Sequence, residues 1–255
     1  MKPYCLASSS KGNCYVLEFD INGEPTRLMV ECGLPIKTIY QKLAQFGIEI
    51  TTIVGCLITH AHKDHCEAAK DLERLNIPLF ATKETLAKIG VLGEEMVDLG
   101  VKRVCKGLFA LPFSVEHDID GACGFIIKTQ KESVLFVNDH KRWTCDLRNF
   151  KPNYVFIECN YDHKVVYAQL GQLRKIANPT DEERLKMRQH ERNLNSHCSL
   201  HGTIKGLQKL NLSECSTIFL MHLSDRYANE YRMKNEVQKE TKILTYVCGK
   251  SGYIK

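Results

Sequence analysis

The densest chemistry in this 255-residue chain sits in His60, His62, Asp64 and His65, four metal-ligating side chains within six positions. Imidazole and carboxylate groups suit Zn²⁺, Mn²⁺ or Fe²⁺, and their types alone do not choose among these ions. If the extended chain before the cluster continues to His62, residues two apart share a face, so His60 and His62 can grip one ion. Once the chain turns into a helix, Asp64 and His65 diverge toward a second position, and the spacing therefore suits two metals. A solvated loop or a packing face has no use for four such groups in a row.

The elements that must position this cluster are legible around it. Residues 53–58 form an apolar strand that ends where the cluster begins. Upstream, strands over 13–19 and 26–31 flank Asn22-Gly23, a hairpin turn signal. A helix is expected from Ile36 to Phe46, where Ile36, Ile39, Tyr40 and Leu43 recur at three- and four-residue spacing. Strands are expected over 78–81, 111–115, 124–128, 134–137, 154–158, 217–222 and 243–248, with a helix between Lys83 and Ile89. Thr180 and Glu183 are placed as a capping box opening a charged, exposed helix, whose basic residues Arg184, Lys186, Arg188 and Arg192 read as a solvated face. Strands in both halves with helices between them indicate an α/β fold of two sheets with flanking helices, and the absence of repeats or linkers indicates a single domain over 1–255.

Composition narrows the classes further. With 44% hydrophobic residues the chain can bury a sizeable core. No run approaches the roughly 18 apolar residues of a membrane span, and the first residues lack a signal peptide's apolar core, so no membrane association and a cytoplasmic location are expected. Twelve cysteines without a CxxC pair read as reduced, mostly buried thiols. A net charge of +5 permits a polyanionic substrate without demanding one.

The pattern His60-x-His62-x-Asp64-His65 resembles the HxHxDH signature of the metallo-β-lactamase superfamily. The resemblance implies an αββα sandwich of two mixed sheets flanked by helices, and further ligands at later strand ends. His117, Asp139 and His222 each follow a strand-like run where such a ligand is expected. By this resemblance His60, His62 and His117 hold one metal, Asp64, His65 and His222 hold the other, and Asp139 bridges them. Two divalent cations (Zn²⁺ or Mn²⁺) about 4 Å apart lower the pKa of a shared water and stabilise developing oxyanion charge, so a metal hydroxide is the expected nucleophile and Asp64 is part of the catalytic set.

Ser8-Ser-Ser-Lys-Gly-Asn-Cys14, Glu31-Cys-Gly-Leu34, His117-Asp118, Glu158-Cys-Asn160-Tyr-Asp and Met221-His-Leu-Ser-Asp225 together resemble the YycJ/WalJ-like branch, whose members are described as DNA exonucleases. The chain departs from that branch at Asp139-His-Lys, where Asp-Thr-Gly is usual, and at His197-Cys-Ser-Leu-His201, where Gly-His-Leu-Ser-Asn is usual. His197 is the candidate phosphate contact or general acid; Asn195-Ser196 beside it could instead make it part of a helix-start cap. His201 and Asn160 are further candidate substrate contacts, and His140, His163 and His190 are expected at the surface or in packing.

The expected function is metal-dependent hydrolysis of a phosphodiester in nucleic acid, DNA first and by an exonuclease mode. The alternative of the same fold is a cyclic-nucleotide phosphodiesterase with a compact pocket and a possible homodimer. A thioester or lactam hydrolase, a persulfide dioxygenase and a non-catalytic binding module complete the readings.

Overall fold

In a computed structural model describing residues 1–250 and 252–254, the chain builds two sheets back to back. The first contains β1 (Lys2–Ser9), β2 (Gly12–Ile21), β3 (Glu24–Cys32), β4 (Ile53–Leu57), β5 (Leu79–Ala81) and β6 (Glu94–Glu95), paired in that order. Helices α1 (Ile36–Gln45), α2 (Lys63–Cys66), α3 (Ala69–Arg74) and α4 (Lys83–Ile89) connect its later strands. The hairpin between β2 and β3 turns at Asn22 and Gly23, both at positive φ, as the dipeptide requires.

The second sheet contains β7 (Lys102–Cys105), β8 (Leu108–Glu116), β9 (Cys123–Lys128), β10 (Ser133–Val137), β11 (Arg142–Trp143), β12 (Tyr154–Glu158), β13 (Thr217–Met221) and β14 (Leu244–Val247). Its order is β11-β8-β9-β10-β12-β13-β14, with β7 on β8. Strands β10, β12, β13 and β14 run parallel, joined by crossovers through α5 (His163–Leu173), α6 (Asp181–Ser196), α7 (Leu200–Gln208) and α8 (Glu230–Thr241).

Strand periodicity explains the layering. In β2, Cys14 and Val16 face the helices while Tyr15, Leu17 and Phe19 face the other sheet; in β13, Phe219 and Met221 face the first sheet while Ile218 and Leu220 face α7 and α8. Both sheets are thus apolar on both faces and lie between helices. This is the αββα sandwich of two mixed sheets.

The expected elements are present, with shifted ends. The first strand, β1, and the short β6, β7 and β11 carry no strong alternating signal and escaped the sequence reading. The twelve cysteines are free thiols, eight of them buried. Among the described residues no helix is long and apolar enough to cross a membrane.

Candidate metal centre

Ligand-type side chains converge where strands end. Glu31, His117, Asp139, Glu158 and His222 lie at or within two residues of the C-terminal ends of β3, β8, β10, β12 and β13. Between β4 and α2 the ladder stops at Leu57, so His60 and His62 lie on an irregular extended segment and do not share a strand face, as they would had the strand continued. The α2 turn then delivers Asp64 and His65. Gly33 makes this approach possible: a Cβ there would lie 1.7 Å from the Asp64 carbonyl oxygen. Only a residue without that carbon lets α2 rest on the end of β3.

Two groups result. In the first, His60 Nε2 is 3.0 Å and His117 Nε2 is 3.3 Å from His62 Nδ1. A tetrahedral ion with bonds of about 2.05 Å sets its ligand nitrogens about 3.3 Å apart, so these spacings fit one. The far nitrogens are engaged: His117 Nδ1 donates to the Ser196 carbonyl at 2.9 Å, and His60 Nδ1 meets the Thr59 hydroxyl at 2.9 Å. Burial and the neighbouring His65 hold His60 well below the usual imidazole range, and burial with His117 lowers His62, which favours the neutral ligand form.

In the second group, His65 Nε2 is 3.4 Å from both Asp64 Oδ2 and Asp139 Oδ2, and His222 Nε2 is 3.8 Å from Asp64 Oδ2. Asp64, His65, Asp139 and His222 offer ligand atoms within 4.8 Å of one another. His222 Nε2 is buried and has no hydrogen-bond partner among the described residues, a position that a bound cation would satisfy. His222 itself sits at φ 53°, and its N–H donates to the Ser8 hydroxyl at 2.8 Å, so the β1 end fixes a left-handed turn after β13. Burial opposes charge on His222, but Asp139 and Glu158 outweigh it and raise the ring to about 10; His65 is likewise raised against its burial by Asp139 and Glu31. The seven expected ligands therefore come together in two groups whose donor types fit divalent metal.

Two buried carboxylates, Glu31 and Glu158, support these groups, and no local pattern in the sequence marks either as functional. Glu31 accepts the Thr59 hydroxyl and so orients His60 through Thr59; it also lies 3.2 Å from His65 Nδ1, an electrostatic contact without hydrogen-bond geometry. Glu158 Oε2 accepts the backbone N–H groups of His140 and Cys198 at 2.9 and 3.0 Å. Its Oε1 lies 2.7 Å from His197 Nδ1 and 3.2 Å from His222 Nδ1. Burial works against its charge, yet His197 and His222 bring the carboxyl down to about 2. Asn13 adds a third support, its amide 3.2 Å from His65 Nε2 and 3.4 Å from Asp64 Oδ2.

The candidate substrate residues separate. His197 caps the C-terminus of α6, not a helix start; Ser199 is the N-cap of α7. It lines a cavity of about 370 Å³ together with His62, Asp64, His117, Asp139 and His222. Asn160 is buried and donates to the His222 carbonyl at 2.8 Å, which makes it a support of that turn. His201 is an exposed α7 residue beside the ring of His163 and does not line the cavity. His140 is buried against Trp143, and His190 is buried against Tyr227. Gln189, Arg192 and Asn193 of α6 do line the cavity, and Arg192 pairs with Asp118 at 2.9 Å, so the helix read as merely solvated forms one wall of the site.

No family model matches the chain. The exodeoxyribonuclease WalJ of Streptococcus pneumoniae is 28% identical over 123 residues, 44% of this chain and 44% of the relative, so the match spans less than half of either protein. Among solved structures, the metallo-β-lactamase fold protein YhfI of Bacillus subtilis superposes with a TM-score of 0.70 at 12% identity, covering 99% of this chain and 97% of its own. Zn²⁺-bound PqqB of Methylobacterium extorquens gives 0.70 at 13% identity over 100% and 99%. A metallo hydrolase of Ignicoccus hospitalis gives 0.63 at 14% over 100% and 98%. Identity this low speaks for the backbone, and the backbone agrees along its whole length: the chain has the metallo-β-lactamase fold.

Proposed function

We propose that the protein is a two-metal phosphodiesterase acting on nucleic acid, with a DNA end as its first substrate. The observation that carries this reading is the pairing of His197 with Glu158 beside the two ligand groups. Divalent ions held by His60, His62 and His117 and by Asp64, His65, Asp139 and His222 would supply an activated water and neutralise charge on the phosphoryl oxygens. His197 gives its Nδ1 to Glu158 at 2.7 Å, leaving Nε2 as the nitrogen available to the cavity. Burial disfavours the imidazolium, but Glu158 outweighs it and raises the His197 pKa. A protonated His197 held in this way can deliver a proton to the departing oxygen of a phosphodiester. A thioester, whose thiolate departs without a proton, gains nothing specific from this arrangement. The partial likeness to the pneumococcal exodeoxyribonuclease also favours DNA.

A cyclic-nucleotide phosphodiesterase is the second reading, favoured by the modest cavity of about 370 Å³, within the range of small-ligand pockets. The deciding experiment offers metal-loaded protein 5′-labelled single-stranded DNA alongside cyclic mononucleotides, with Asp64→Ala as control. Stepwise shortening of the DNA, absent in the control, supports the first reading. Opening of cyclic nucleotides with intact DNA transfers the site to the second.

A further inference from the structure

The surroundings of the metal centre are electrostatically lopsided. On one side of His117 a cavity of about 750 Å³ is lined by Glu84, Glu95, Asp98, Glu116 and Asp120 against a single lysine, Lys83; of these, Glu116 also pairs with Arg142. On the other side, the smaller cavity that His197 lines is walled by α6 with Arg192 and faced by Lys63 of α2, which also lies 3.5 Å from Glu67; its carboxylates, Asp64 and Asp139, belong to the second ligand group and would be neutralised by metal. A polyanion reaching the metals meets repulsion from the first side and attraction from the second.

The attraction extends beyond the cavity. Arg184, Arg188 and Arg192 are exposed and follow one another at four-residue spacing, which makes them neighbours on the helix surface. The row covers about 12 Å along the axis, leading away from the site. Lys186 is tied to Glu182 at 2.7 Å, and Arg174 is tied to Glu191 at 2.9 Å. Arg184 bonds only the Pro179 carbonyl, and Arg188 makes no ion pair among the described residues. These two guanidinium groups are therefore available to anions. Arg192 spends Nε and one terminal nitrogen on Asp118, leaving its other terminal nitrogen to the cavity.

We infer that the arginine row of α6 is the track for a single nucleic-acid strand, whose backbone phosphates lie on Arg184 and Arg188 while the phosphodiester next to Arg192 is presented to the metals. The inference rests on the proposed nucleic-acid reading and adds direction to it: the strand occupies the α6 side only, and the carboxylate-lined cavity stays free of it. A track on one side of the ligand groups, with a carboxylate-lined cavity on the other, favours a strand end over a continuous strand. A cyclic mononucleotide, having no flanking phosphates, has no use for the row.

The test is binding, read separately from turnover. Metal-loaded protein is titrated into a fluorescent oligothymidylate of about 20 nucleotides whose phosphorothioate linkages resist hydrolysis, and anisotropy is followed at several salt concentrations. Arg184→Gln with Arg188→Gln should weaken binding about tenfold and make the log–log salt slope shallower by about 1.4, twice the single-strand contribution of about 0.7 per phosphate contact. Arg184→Lys with Arg188→Lys, which keeps the charges, should restore both. Glu84→Gln with Asp120→Asn, across the centre, should leave affinity equal or tighter. Unchanged affinity and slope in the glutamine variant, or loss of affinity in the Glu84 and Asp120 variant, overturns the track. Strand binding that depends on the row without any cleavage would retain the track and dismiss the proposed nuclease chemistry, so the two can fail independently.

Discussion

Glu158 Oε1 stands 2.7 Å from His197 Nδ1 and, on its other side, 3.2 Å from His222 Nδ1, so one buried carboxylate orients both the proposed acid and a proposed metal ligand. Its second oxygen is held by two backbone N–H groups, which fixes the carboxylate before either histidine is considered. A group so constrained loses little entropy in holding its partners, and its effect falls on the orientation and protonation of the rings.

Replacing Glu158 by Gln keeps the shape but removes the charge. The turnover number should fall about 100-fold with KM changed little. The carboxylate raises the His197 pKa, so without it the alkaline limb of the pH–rate profile should move to lower pH. A steady-state pH series on the wild type and E158Q checks both; an unmoved alkaline limb would remove His197 from the role of acid.

Asp64→Ala should cost the second group its metal while leaving the first occupied. Mass-spectrometric metal analysis of purified protein should give one equivalent fewer, and hydrolysis should fall at least about 100-fold. The far-ultraviolet circular dichroism should be that of the wild type, because Asp64 lies on the surface of the site and carries no core packing. Retained hydrolysis in both Asp64→Ala and His65→Ala would dismiss the two-metal mechanism.

Metal uptake should release protons unevenly. In the metal-free protein the His222 ring is raised to about 10 and His65 is also raised, whereas His60 and His62 are lowered. A raised ring stabilises the fold fully below its unfolded value of about 6.5, and that contribution is lost as pH rises through the folded value. A cation taken up by the second group must therefore displace protons at pH 8, and its affinity should strengthen toward alkaline pH. His60 and His62 are already neutral and contribute no proton to the first group. Indicator-dye titration of the metal-free protein with Zn²⁺ measures the release; proton-neutral uptake of both equivalents would contradict this account.

Gly33→Ala tests the approach of α2 to β3. Its Cβ would fall 1.7 Å from the Asp64 carbonyl oxygen, and backbone cannot yield as a side-chain tip can. The substitution should destabilise the fold by about 3 kcal/mol and weaken metal binding at the second group. Thermal unfolding with and without Zn²⁺ reads both effects.

The proposed metal ligands are legible in the amino-acid sequence because four of them are local. His60, His62, Asp64 and His65 declare themselves by type and spacing, and His117, Asp139 and His222 follow strand-like apolar runs where the superfamily resemblance expects further ligands. Short continuous apolar runs also mark β2, β10, β12 and β13 as strands, and the structure buries both faces of each, as such runs require.

What the tertiary structure decided is which residues meet across the chain. Glu158 and His197 are 39 positions apart, Asp118 and Arg192 are 74 apart, and Asn13 and His65 are 52 apart. A carboxylate becomes a ring-orienting group only when its oxygen lies within hydrogen-bond reach of a particular nitrogen, and no local pattern encodes that distance. The same reason separated the candidates: His197 and His201 lie four positions apart, yet the break between α6 and α7 puts one in the cavity wall and the other at the surface. Residue types and spacing determined that this chain can hold metal; the packing of α6 and the strand ends determined what surrounds it.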